Sequence, residues 1–220
     1  MSALKLTVVV ASEATAASDP QSLHCGERLL ISGPVAMPLH PSQRLLRVDC
    51  RAATRMLAFL DHGAQRERGV PTGAIAVRSP MPLEQPDTLA TWLLEGLLGN
   101  DAQAQQLAAL LARQESYRLI RFIAGQDGQQ SVAALSARYG LSPAHFYRQC
   151  RQALGRSLKQ QLRLLRASHA LLQYSGGNHT FTDVAADHGY ASSSHFCAEI
   201  RSLLGASPSE VYQATTPVRT

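Results

Sequence analysis

Apolar positions come in short runs over the first eighty or so residues and in helical stripes after that. Leu6–Val10, Arg28–Ile31, Leu45–Val48 and Ala74–Val77 are short and rich in branched residues. They are separated by Gly33-Pro34, Pro38, Pro41, Gly69-Val70-Pro71 and Pro80-Met81-Pro82. That punctuation predicts four strands and their turns. Thr54 to His62, carrying Met56, Leu57, Ala58, Phe59 and Leu60, reads as a helix among them. Gln85-Pro86-Asp87 opens a helical stretch, with Asp87 as its cap and Leu89, Trp92, Leu93, Leu97 and Leu98 behind it. After the break at Gly99-Asn100, Asp101 caps an Ala/Gln-rich run, Ala102–Ala112. This run reads as a helical connection between domains.

From Glu115 onward the pattern is helical throughout. Glu115–Gly125 opens the segment, and Ser131 caps a short helix ending at Tyr139-Gly140. Ser142 caps the next, with Pro143 in the first helical position, where its missing N–H costs nothing. Arg156 to Tyr174 is a long helix closed by Gly176-Gly177. Thr180 with Asp183 forms a capping-box signature, Ser192 caps the following helix, and Ser207-Pro208-Ser209-Glu210 starts the last. Seven helices are predicted here.

Within them one pattern occurs twice. Ser142-Pro-Ala-His-Phe-Tyr-Arg-Gln-Cys-Arg-Gln-Ala-Leu-Gly155 and Ser192-Ser-Ser-His-Phe-Cys-Ala-Glu-Ile-Arg-Ser-Leu-Leu-Gly205 align at one constant offset. His145/His195, Phe146/Phe196, Arg151/Arg201, Leu154/Leu204 and Gly155/Gly205 coincide. Each copy follows a short apolar helix that ends in Gly, at Gly140 and at Gly189. A short helix, a Gly-containing turn and a second helix make a helix-turn-helix. The expected fold class is α+β overall. A small mixed α/β N-terminal module spans residues 1–112, and an all-α domain with two helix-turn-helix units joined by a long helix spans 113–220.

Charge sharpens this picture. The net charge of +5 favours an anionic partner, and its distribution says more. Ser131 to Ala170 holds no Asp or Glu, yet contains Arg138, Arg148, Arg151, Arg156, Lys159, Arg163 and Arg166. Such a cluster alone could be a solvated helix surface; beside a doubled helix-turn-helix it points to nucleic acid. The four cysteines form no CxxC pair, which fits a reduced, cytoplasmic chain. His24-Cys25 with His40 and Cys50 lacks the spacing of a zinc ligand set, so no metal is expected. Leu4–Val10 is short and interrupted by Lys5, so it reads as a strand rather than a signal peptide. There is no Gly-rich phosphate loop, nucleophile elbow or carboxylate pair, so neither an enzyme nor a cofactor is expected.

A recognition helix packs one face into its domain and turns the other to the major groove. Phe146, Cys150, Ala153 and Leu154 form the inward stripe of the first copy, and Phe196, Ile200, Leu203 and Leu204 that of the second. The candidate DNA-contacting residues are Ser142, Ala144, His145, Tyr147, Arg148 and Arg151 in the first unit. In the second they are Ser192, Ser193, Ser194, His195, Cys197 and Arg201, and Arg163 joins them from the linking helix. Arg148 can read guanine O6/N7 or grip phosphate. The linking helix, at 1.5 Å per residue, spans roughly 28 Å, close to one turn of DNA.

Residues Glu115–Val211 resemble the DNA-binding domain of the AraC family of bacterial transcription activators. The landmarks are Leu135, Gly140, Ser142, His145-Phe146, Gly155, Leu171-Leu172, Val184-Ala185, Gly189-Tyr190, Ser194, Phe196, Gly205 and Ser207-Pro208. Within the family the chain is most similar to the InvF type, which activates type III secretion genes. Glu115-Ser-Tyr117, Arg148, Cys150, Ala153-Leu-Gly155, His188-Gly-Tyr190 and Glu199-Ile200 carry that likeness, as does Met56–Asp61. Cys150 and Ile200 replace the family's usual aromatics, and Val211 stands where an aromatic is usual. The resemblance implies binding to promoter DNA, contact with RNA polymerase and a type III secretion chaperone acting as coactivator through the N-terminal half. It is also compatible with a homodimer. The alternative is an N-terminal half that senses a small molecule, as in many relatives. Phe59 and Trp92 are the only aromatics in residues 1–112, which argues against a sugar pocket.

Overall fold

A computed structural model describes residues 6–11, 28–32, 43–69, 76–79, 81–175 and 179–215. The His24, Cys25, His40 and Gly176-Gly177 expectations lie outside these residues. The chain divides into two compact units, Met1–Arg121 and Phe122–Thr220.

The first unit pairs a sheet with helices. Strands β1 (Leu6–Ala11), β2 (Arg28–Ser32), β3 (Gln43–Arg47) and β4 (Ala76–Ser79) form an antiparallel sheet in the order β3-β1-β2-β4. Val8 lies opposite Leu30, and Leu30 opposite Val77, in the registers of three adjacent strands. Alternation places these three side chains on one face, and all three are buried. The third strand begins two residues earlier than its apolar pair suggests. Helix α1 (Arg51–Gly63) packs against α2 (Pro86–Leu98) and α3 (Ala102–Ala112). Gln85, not Asp87, is the N-cap of α2; Pro86 takes the first turn because its ring fixes φ and it has no N–H to satisfy. Asp101 caps α3 as expected, accepting from the Ala104 N–H at 2.7 Å. Helix α3 is not a bridge. Ala104, Leu107, Ala108 and Leu111 are buried, so its apolar stripe belongs to this unit's core.

A buried ion pair ties these helices together. Arg68 donates to both carboxylate oxygens of Asp61, at 2.9 and 2.7 Å, and to Gln105 Oε1 at 2.8 Å. Tyr117, on helix α4 (Glu115–Ala124), donates its hydroxyl to Asp61 at 2.8 Å. Burial, reinforced by that carboxylate, pushes the Tyr117 phenol up to about 12.

The second unit begins inside α4 and continues through α5 (Val132–Tyr139), α6 (Pro143–Leu154) and α7 (Leu158–Ser175). Helices α8 (Phe181–Asp187), α9 (Ser193–Leu204) and α10 (Pro208–Thr215) complete it. The expected seven helices are therefore present among the described residues. Phe122, Tyr139 and Phe146 pack around one another with ring centroids 5.0 to 6.3 Å apart, forming the centre of the first half. The second half is built on Ala167, Ala170, Val184, Ala185, Tyr190, Phe196 and Ile200. Val211 packs against that cluster, and Tyr212 meets Tyr174 edge-on at 5.6 Å, so α10 closes it with a smaller side chain plus a displaced ring. No helix among the described residues is long and apolar enough to cross a membrane.

Candidate nucleic-acid interface

Two helix pairs, α5 with α6 and α8 with α9, are built by the same local chemistry. In each, the first helix ends on a glycine-bearing turn. Gly140 has φ +80° and Gly189 φ +67°, values that disfavour any side chain. Gly155 and Gly205 repeat this after α6 and α9, at φ +70° and +78°. Thr180 and Asp183 form a complete capping box at the start of α8. Ser131 and Ser192 accept from the third N–H of α5 and α9 respectively. Ser142 sits at the N-cap of α6 in extended geometry, but its side chain makes no capping bond. Its exposed hydroxyl therefore remains outside the helix's own hydrogen-bonding pattern.

Along α6 the inward stripe is Phe146, Cys150, Ala153 and Leu154, all buried, as the spacing predicts. Burial pushes the Cys150 thiol up to about 12. Ala144, Tyr147, Arg148 and Arg151 are exposed together on the other side. His145 is half-buried and shares a 2.7 Å hydrogen bond with Gln149, so its ring is held along the helix.

Helix α9 differs in two respects from the sequence pattern. Phe196 and Ile200 are buried, but Leu204 is 49% exposed. It is the last residue before the left-handed Gly205, which ends the helix. Cys197, expected to face outward, is partly buried and packs against the second cluster. Ser194, His195 and Arg201 are exposed, and Ser193 is half-buried. His195 accepts from the Ala191 N–H through Nδ1 at 3.4 Å, and its ring stands edge-on to Tyr190 at 5.5 Å.

The basic stretch sorts into two groups. Arg148, Arg151, Arg156 and Lys159 are exposed and carry no ion pair among the described residues. The other three contact the protein. Arg138 donates to Gln126 Oε1 at 3.0 Å and lies 5.8 Å from the Phe122 ring centroid. Arg163, expected to lie along the DNA backbone, instead grips Glu199 with two parallel hydrogen bonds of 2.8 and 2.7 Å. Arg166 reaches the same carboxylate at 3.7 Å. The reason lies 36 residues downstream, in an acid on α9 that a reading of α7 alone does not bring in. The Arg163 hydrogen bonds hold the Glu199 carboxyl below the usual range.

A second polar cluster, which sequence reasoning missed, joins α7 to α8. Gln173 donates to Asp187 at 2.6 Å and meets His188 Nε2 through Oε1 at 2.6 Å. Burial, helped by the charge of His169, holds His188 below its ordinary pKa. Among the described residues no group of His, Cys, Asp and Glu could hold a metal ion.

Residues 135–214 match the protein-family model described as a helix-turn-helix domain. The chain is 36% identical over 118 residues to the invasion protein InvF of Salmonella typhimurium, covering 53% of this chain and 55% of that one. It is 33% identical over 130 residues to the transcriptional regulator MxiE of Shigella flexneri, covering 58% and 62%. The match thus spans little more than half the length of these relatives. The crystal structure of ToxT from Vibrio cholerae is similar with a TM-score of 0.42 at 10% identity, covering 97% of this chain and 86% of that one. Over little more than half its length the chain is thus similar to InvF and MxiE, and its residues 135–214 match a helix-turn-helix domain.

Proposed function

We propose that this chain is a sequence-specific DNA-binding activator of type III secretion genes, reading promoter DNA through two helix-turn-helix units. Helices α6 and α9 are the recognition helices, and α7 sets the distance between them. The carrying observation is that the matched segment, residues 135–214, takes in both helix pairs save the first turn of α5, with polar side chains exposed opposite a buried stripe on each second helix. The 18 residues of α7 span about 27 Å, which suits two successive major grooves on one face of a duplex. Ser142, Ala144, Tyr147, Arg148 and Arg151 serve the first half-site, with His145 at its edge. Ser192, Ser193, Ser194, His195 and Arg201 serve the second. The names of the relatives, an invasion protein and a transcriptional regulator, support the regulatory role. Residues 1–112 would take up the partner, a secretion chaperone acting as coactivator, while the C-terminal helices hold DNA and meet RNA polymerase.

Selection of the full chain against a library of random duplexes tests this. The expected product is two short preferred elements separated by about one helical turn. Recovery of no preferred duplex, from protein shown to be folded, would sink the reading.

A further inference from the structure

Glu199 is the only acid on α9, a helix otherwise suited to a polyanion. Its side chain is only 9% exposed and is held by two guanidiniums from α7, at 163 and 166. These positions are one helical turn apart and so share a face of α7. The Arg163 pair is bidentate, the geometry in which arginine and carboxylate bind most firmly. Arg166 is held from a second side. Its guanidinium carbon lies 4.6 Å from the ring centroid of Tyr190, a buried residue in the connection between α8 and α9. Helix α7 carries no acid of its own, so the charge opposing these arginines comes from α9.

We infer that Glu199 is a positioning residue with two linked effects: it fixes α9 against α7, and it withholds Arg163 and Arg166 from backbone phosphates. This rests on the DNA-binding reading above. Sequence-independent affinity grows with every cation that can reach a phosphate. A carboxylate that ties up two of them lowers affinity for all duplexes, and leaves base contacts on α6 and α9 a larger share of the total. Holding α9 in one pose also keeps those contacts in register.

The test compares wild-type protein with Glu199→Gln on a short random-sequence duplex and on a duplex selected by the wild type, across a salt series. Glutamine keeps the size of the side chain and removes the charge. The variant should bind the random duplex severalfold more tightly at low salt. The slope of log affinity against log salt should steepen by about one to two, one phosphate contact contributing about 0.9. The preference for the selected duplex should shrink. An unchanged slope with an unchanged preference overturns the inference, as does uniform weakening on both duplexes. If Glu199→Gln does not fold, Arg163→Gln decides the matter. A withheld arginine leaves the slope where it was, whereas a loss of about one unit means Arg163 already touches phosphate and the inference is wrong. A wild-type protein that holds neither duplex removes the DNA-binding reading and this inference together. Wild-type binding with no response to Glu199→Gln, or with a loss of slope in Arg163→Gln, removes the inference alone.

Discussion

Arg148 and Ala198 occupy equivalent positions in α6 and α9, both exposed, and on the proposed DNA-binding reading they should make the two halves unequal readers. A guanidinium can engage guanine O6 and N7 together, whereas an alanine offers at most a methyl contact. Replacing Arg148 with alanine should cost about 1–3 kcal/mol of binding and relax base preference at one position of one half-site. Ser194→Ala should cost less and leave preference almost intact. Equal loss of preference from the two, measured on a randomised half-site library, would contradict the asymmetry. Most inward positions were legible in the sequence, because Phe146, Cys150, Phe196 and Ile200 follow the helical period, while Leu204 and Cys197 departed from it. Positions whose fate depends on a distant partner were not. Arg163 is basic and sits on a basic helix; only the fold brings Glu199 to it.

Elements were legible where their ends carry chemical marks. Serine, threonine and aspartate caps, Pro at first positions and glycines after the last turn located α5 to α10 closely. The Ala/Gln-rich α3 has no such mark of its tertiary role. High helix propensity fits an exposed connector and a packed helix alike, so its place in the first unit's core was hidden. The connection between α4 and α5 illustrates a constraint of another kind. Gly128 has φ +82°, and an added Cβ would lie 2.4 Å from the Leu162 carbonyl oxygen and 2.8 Å from the Arg166 nitrogen, both backbone atoms of α7. Neither atom can move without bending the linking helix. Gly128→Ala should therefore destabilise by about 2 kcal/mol or more, combining strained backbone with a forced shift. Denaturant unfolding of the full chain measures it, and a loss below about 0.5 kcal/mol, the size of an ordinary surface substitution, would show that the connection can lift away from α7.

For the whole molecule, charge decides behaviour in salt and acid. Composition alone suggests seven basic groups along residues 131–170, but the fold engages three of them. Arg148, Arg151, Arg156 and Lys159 remain exposed, so the slope of log affinity against log salt should be roughly −4, shallower than seven contacts would give. A titration of binding against salt checks this, and a slope near zero would remove phosphate contact from the account. Acid should destabilise the chain in two stages. Burial depresses His188 below its ordinary value of 6.5, so the folded state resists the proton that the unfolded chain accepts. Stability is complete above about pH 6.5 and declines as pH falls from there through the folded value. Glu199, depressed from 4.5 chiefly by Arg163, adds a second decline beginning below about pH 4.5. Urea melts across this range should show both, and His188→Gln should flatten only the upper one.

Cys150 supplies a built-in clock. It sits fully enclosed in α6, and its thiol, pushed up to about 12, holds almost no thiolate at neutral pH. Since thiolate is the reacting form, a disulfide reagent can modify it only after the helix has opened. In a variant with Cys25, Cys50 and Cys197 replaced by serine, the rate of Cys150 modification would therefore time that opening directly. Bound duplex should slow the clock, and a duplex the protein does not prefer should slow it less. One sulfur atom could thus rank operators by how firmly each holds the helix shut.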